Sequence, residues 1–169
     1  MNYIKITKND IANGVGVRTV LWVSGCTMRC KECHNQSTWD FNAGQPFTND
    51  TMNELLNSLI PDYVAGLTLS GGHPLEKQNQ QQIANIVKTV KAKYPTKTIW
   101  LYTGYLYENI LKMPFVVRNI LPYIDILVDG KYDCTKRDIT LAWCGSSNQR
   151  VIDVQKSLKE NKVILFKEE

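Results

Sequence analysis

Residues 17–34 read VRTVLWVSGCTMRCKECH, and two patterns meet inside them. Val17–Ser24 is apolar and β-branched, the pattern of a strand covered on both faces. Directly after it come Cys26, Cys30 and Cys33, spaced C-x3-C-x2-C, so a strand delivers three thiols to one short loop. Three thiolates leave a metal centre unfinished. A cubane of four irons and four sulfides held this way keeps one iron without a protein ligand, as a catalytic zinc keeps an open position. The spacing also admits a closed zinc site with His34 as fourth ligand. Zinc sites usually use paired C-x2-C knuckles, however, and only Cys30 and Cys33 form one. Neighbours such as Cys33 and His34 rarely ligate one ion together. A disulfide framework fits least. The chain opens MNYIKI with no apolar leader, so it is expected in the cytoplasm, where thiols stay reduced.

Outside this stretch, strands and helices alternate. A helix is expected near Asp50–Ile60, with Met52, Leu55, Leu56 and Leu59 on one face and Thr48 or Asn49 as its cap. Gly66–Ser70 is a second strand. A helix from about Asn79 to Lys93 follows, with Ile83, Ile86, Val87 and Val90 as its buried stripe. Thr98–Thr103 and Ile124–Asp129 are further strands, separated by short helical pieces around Leu106–Lys112 and Phe115–Leu121. Repeated strand–helix units predict an α/β fold with a parallel sheet and right-handed crossovers.

Each of these strands ends in glycine-bearing polar chemistry: Ser24-Gly25-Cys26, Ser70-Gly71-Gly72, Thr103-Gly104-Tyr105 and Asp129-Gly130-Lys131. A glycine alone often only ends a strand. In a parallel sheet, however, all these ends lie on the carboxyl edge, where α/β proteins place their sites. The cysteine loop and the three glycine turns are therefore expected to ring one pocket.

Composition narrows the function classes. The 169 residues suit a single domain with its own core. A hydrophobic share of 43% and a charged share of 21% are those of an ordinary globule, with no apolar run of membrane-spanning length. The net charge of +4 is scattered, so neither a nucleic-acid footprint nor a membrane partner is expected.

The three-cysteine loop after the first of these strands, with a ring-bearing residue after the third cysteine, resembles the radical S-adenosylmethionine (SAM) enzymes. NGVGVRTVLWVSGC, CHNQSTWD, LTLSGGHPL, IWLYTGY, ILVDGKY and WCGSSNQRVID span Asn13 to Asp153. As a set they resemble the glycyl-radical activases that serve the anaerobic ribonucleoside-triphosphate reductase. The resemblance implies a compact partial (β/α) barrel of the radical SAM type, forming a single activase domain over residues 1–169. It implies that Cys26, Cys30 and Cys33 ligate a [4Fe-4S] cluster whose open iron binds SAM. It further implies an oxidoreductase in which an electron from a flavodoxin-like donor cleaves SAM to methionine and a 5′-deoxyadenosyl radical. That radical takes a hydrogen atom from a glycine of the reductase large subunit. No further catalytic side chain is implied, and a homodimer stays open.

By the same resemblance, Glu32, Cys33 and His34 face the adenine side of SAM, and Gly71 and Gly72 meet its methionyl group through backbone atoms. Thr103 and Asp129 lie where related activases hold a monovalent cation or the ribose of SAM, although Asp129 could equally cap the loop after its strand. Two positions depart from the family. An acid usually follows the double glycine, where it pairs with SAM's ammonium; here His73 stands there. A neutral imidazole can accept a hydrogen bond from that group and an imidazolium cannot, so SAM affinity is expected to fall at low pH. Cys144 stands where the tail motif normally carries arginine, and neither Arg137 nor Arg150 is assigned that role. Cys134 and Cys144 read as two unrelated thiols, and the four tryptophans as packing. Three alternatives stay open: an activase for another glycyl radical enzyme such as formate-lyase, a zinc-binding module without catalysis, and an iron–sulfur redox sensor.

Overall fold

The computed structural model describes residues 1–168. Strand β1 (Asn2–Asp10) leads into β2 (Val17–Val23), and after the cysteine loop come the two-residue strand β3 (Gln45–Pro46) and helix α1 (Asn49–Ser58). Then follow β4 (Val64–Gly71), α2 (Gln80–Lys93), β5 (Thr98–Tyr102), the short helices α3 (Tyr107–Ile110) and α4 (Pro114–Asn119), and β6 (Ile126–Asp129). β7 (Arg150–Asp153) and α5 (Val154–Glu160) complete the fold. One open sheet runs β3-β1-β2-β4-β5-β6-β7.

The expected alternation accounts for the centre of this sheet. β2, β4, β5 and β6 are parallel neighbours. Their residues are buried almost throughout, from Leu21 and Val23 through Leu67 and Leu69 to Leu101 and Leu127. The flanks depart from the expectation: β1 and β3 on one side and β7 on the other pair antiparallel. β1 turns back into β2 and β7 lies beside β6, and neither carries the continuous apolar run of a strand covered on both faces. β1 also shows two register shifts against β2.

The helices pack as their periodicity predicts. α1 buries Leu55 and Leu56, with Leu59 at its end, while Met52 is only partly buried. Its cap is Thr48, whose hydroxyl accepts from Thr51 N–H at 3.3 Å. α2 buries Ile83, Ala84, Ile86, Val87 and Val90 against the same core. The C-terminal stretch beyond α5 lies along β7. Leu165 bridges Ile152, Asp153 N–H donates to Ile164 O at 2.9 Å, and Phe166 N–H donates to Val151 O at 2.9 Å. Glu169, the last residue of that stretch, lies outside the described residues.

At the amino end of the parallel strands lies a feature that periodicity does not reveal. Arg18 is wholly buried. Its guanidinium donates to Thr68 Oγ1 at 2.7 Å, Leu67 O at 2.8 Å, Thr98 O at 2.9 Å, Thr98 Oγ1 at 3.0 Å and Val15 O at 3.1 Å. Burial lowers its pKa to about 10, with Asp125, Tyr102 and Asp10 pulling the other way, so it stays charged at neutral pH. It ties three neighbouring strands together at the end opposite the cysteines.

Candidate metal centre

Each parallel strand releases its chain at the same edge, and a single cleft opens there. Its walls include Cys26, Cys30 and Cys33, then Gly71 and Gly72 after β4, Thr103 and Gly104 after β5, and Gly130 after β6. The expected ring of turns is thus one site. Met28, Trp39, Tyr102 and Tyr132 supply its apolar lining.

The cysteine loop is pinned at its base by Gly25 N–H to Thr38 O at 2.7 Å and Cys26 N–H to Trp39 O at 3.1 Å. Within it, Arg29 and Glu32 both adopt positive φ, 47° and 57°, a conformation that non-glycine residues adopt at a cost. Burial pushes the Cys26 thiol up, opposed by the backbone amides of Met28 and Arg29. Burial likewise raises Cys30, opposed chiefly by the charge of Lys131. Asn35 N–H approaches Cys33 Sγ at 3.4 Å. Amide dipoles and a lysine thus stand ready for sulfur anions, and metal binding would release the thiol protons.

These residues fit an iron–sulfur cluster better than a lone ion. Among the described residues, no three His, Cys, Asp or Glu side chains converge closely enough to hold one metal ion. One zinc needs every thiolate about 2.3 Å from a common point, whereas a cluster offers each thiolate its own iron. His34, the fourth ligand of the zinc alternative, is exposed and sits edge-on to Tyr132 with ring centroids 5.7 Å apart. Trp39, on the cleft wall, has a buried Nε1 with no partner among the described residues.

The double-glycine turn has little slack. A Cβ on Gly72 would stand 2.6 Å from Gly25 O and 2.9 Å from Thr38 O, and Gly71 has φ +105°. Gly72 N–H donates to Val23 O at 2.8 Å, so the turn is pinned to the end of β2.

Several residues stand elsewhere than the sequence pattern suggested. Glu32 is exposed and absent from the cleft wall, and His34 reaches the wall only through Tyr132. His73 lines the cleft, but both its nitrogens are engaged, Nδ1 3.2 Å from Glu76 Oε1 and Nε2 2.7 Å from Thr103 Oγ1. A carboxylate can only accept, so Glu76 takes the hydrogen bond of Nδ1–H, and Nε2 then accepts one from the Thr103 hydroxyl. No lone pair remains for an ammonium group, so His73 is not the free acceptor expected. Asp129 faces away from the cleft. It accepts from Tyr107 N–H at the start of α3 at 2.8 Å and pairs with Arg150, so it holds the α3 start and Arg150 instead of the loop after its own strand. Sequence reading missed Glu76, whose only signal was an acid three residues beyond His73.

Known proteins resemble this chain over most of its length. Residues 12–152 match the family model described as a 4Fe-4S single cluster domain. The anaerobic ribonucleoside-triphosphate reductase-activating protein of Enterobacteria phage T4 is 46% identical over 151 residues, 89% of this chain and 93% of its own. The protein of that name from Pasteurella multocida (strain Pm70) is 44% identical over 88% of this chain and 95% of its own. That from Escherichia coli (strain K12) is 41% identical over 89% and 97%. Among the described residues no helix is long and apolar enough to cross a membrane. With nearly its whole length matched, the chain belongs to the family of anaerobic ribonucleoside-triphosphate reductase-activating proteins and carries their 4Fe-4S domain.

Proposed function

We propose that the protein is a radical SAM activase of the anaerobic ribonucleoside-triphosphate reductase, an oxidoreductase with a [4Fe-4S] cluster on Cys26, Cys30 and Cys33. One observation carries this reading: three thiols and the double-glycine turn share a single cleft at the carboxyl edge of the parallel strands. When bound, the cluster supplies one electron to SAM, whose cleavage to methionine yields a 5′-deoxyadenosyl radical that takes a hydrogen atom from a glycine of the reductase. The chain's own residues bind, orient and shield. Cys26, Cys30 and Cys33 would hold the cluster and, as only three thiolates, would leave it able to take SAM. Gly71 and Gly72 let the methionyl part approach the backbone, and Tyr132 with His34 forms a wall for the adenine. Met28, Trp39 and Tyr102 keep water from the reacting centre.

In this reading the open sheet is the partial (β/α) barrel of radical SAM enzymes. The protein works in the cytoplasm with the reductase large subunit, takes its electron from a flavodoxin-like donor, and can pair as a homodimer. The test combines anaerobically reconstituted protein, SAM, a reductant and the reductase, and looks for a glycine-centred electron-spin signal. That signal, dependent on all four components, is expected. Colourless protein with stoichiometric zinc and no acid-labile sulfide overturns the reading, as does a brown protein that leaves SAM intact under reduction.

A further inference from the structure

Glu76 lies at the middle of the segment His73–Asn79, which is bonded to the cysteine loop. That segment is tied to residues 24–27 at three points. His73 N–H donates to Gly25 O at 2.8 Å, and Asn79 Nδ2 donates to Ser24 O at 2.9 Å. The third tie is a carboxylate: Glu76 Oε1 accepts from both the backbone N–H and the hydroxyl of Thr27, each at 2.7 Å. The same oxygen lies 3.2 Å from His73 Nδ1, whose ring continues through Thr103 Oγ1 at 2.7 Å to Tyr105 N–H at 3.1 Å. One oxygen atom therefore joins the cysteine loop, the double-glycine turn and the turn after β5.

A buried acid needs such company. Glu76 is 6% exposed and His73 is 2% exposed. Burial alone would raise the carboxyl pKa; the bonds from His73 and Thr27 outweigh it and hold Glu76 down at about 2. Withdrawing a carboxylate from water is costly unless several donors meet it, so its retention here needs a reason beyond filling space. Thr27 directly follows Cys26, and that adjacency supplies the reason.

We propose that Glu76 is a positioning residue for the cluster loop, its carboxylate latching Thr27, and with it Cys26, in register with the double-glycine turn and the Thr103–Tyr105 turn. The role toward the cluster rests on reading Cys26 as a ligand; the latch itself does not.

The experiment compares wild type with E76A and E76Q, because a glutamine carbonyl can still accept from Thr27 and from His73 Nδ1–H. In the cluster-free protein, amide hydrogen exchange at Thr27 is expected to rise about tenfold or more in E76A, with Ile86 and Val90 in α2 unchanged. E76Q is expected to stay within about threefold of wild type. After anaerobic reconstitution, E76A should surrender iron to a chelator about tenfold faster, and SAM should lose the effect on its reduced electron-spin spectrum that is expected in wild type. E76Q should restore both. Unchanged Thr27 exchange in E76A removes the latch. Freed Thr27 with normal iron retention and a normal SAM-dependent spectrum removes its role toward the cluster. A folded E76Q that fails to rescue overturns the proposal by making charge, not hydrogen bonding, the active property. Wild type that takes up no cluster overturns the reading of the cysteines instead, which the Thr27 exchange does not depend on.

Discussion

Arg150 holds Asp129 with two hydrogen bonds, Nε to Oδ1 at 3.0 Å and Nη2 to Oδ2 at 2.5 Å. Its Nη1 and Nη2 also reach the two Glu108 oxygens at 3.0 and 2.8 Å. Asp129 is wholly buried, so this guanidinium is what permits a charge at the end of β6. Arg150→Ala should cost about 3–5 kcal/mol, because it strands a buried carboxylate. The double change Asp129→Asn with Arg150→Met should recover part of that loss. A double-mutant cycle in urea checks it, and additive losses would count against the pair.

The same cluster sets an acid limit. Hydrogen bonding to Arg150 holds Glu108 at about 2, below its usual 4.5. Its stabilising effect is full above about pH 4.5 and is lost as pH falls toward 2, since the folded state must then take up a proton it resists. Unfolding midpoints at pH 6 and pH 3 should therefore differ less for Glu108→Gln than for wild type. Equal acid sensitivity would mean that other carboxylates set the limit.

Gly72→Ala tests the double-glycine turn. The new methyl group meets two backbone carbonyl oxygens that cannot swing aside, so the turn must shift. SAM affinity is expected to fall by at least about tenfold while the cluster-free protein stays folded. Equilibrium binding to reconstituted protein decides it, and undiminished affinity would take the turn out of the ligand site.

Arg18 should matter for stability and not for the cluster. Arg18→Ala removes the donors for Leu67 O, Thr98 O and two hydroxyls in a sealed interior, a loss of about 3 kcal/mol or more. Arg18→Lys should recover only part, because an ammonium cannot match the planar fork. Denaturant midpoints measure this, with iron content after reconstitution expected to stay at wild-type level.

The central strands were legible because burial on both faces leaves a mostly apolar, β-branched run, as in VRTVLWV and ILVD, broken only by Arg18, Thr19 and the terminal Asp129. Their shared edge follows from topology alone, since parallel strands release Cys26, Gly72, Gly104 and Gly130 at one cleft. β1 stayed hidden because NYIKITKND buries little beyond Tyr3, and β7 because four residues carry almost no periodicity. Polar partnerships were the least visible. Arg18 finds Thr68 and Thr98 fifty and eighty positions away, and Asp129 finds Arg150 twenty-one positions on. No local pattern marks such pairs. Position 73 shows how a motif can mislead: histidine replaced the expected acid, and a carboxylate three residues later bonded to its ring.

The two rims of the sheet differ in how they could be extended by a neighbour. Along β7 the backbone groups of Val151 and Asp153 are already taken by the chain's own tail. Along β1, among the described residues, only Asn2 and Tyr3 are covered, by β3 with its proline. The uncovered length carries Lys5, Lys8 and two irregularities of register, features that discourage templated growth of β-structure. Unwanted polymerisation through strand addition is thus blocked on one side by occupancy and on the other by charge and distortion.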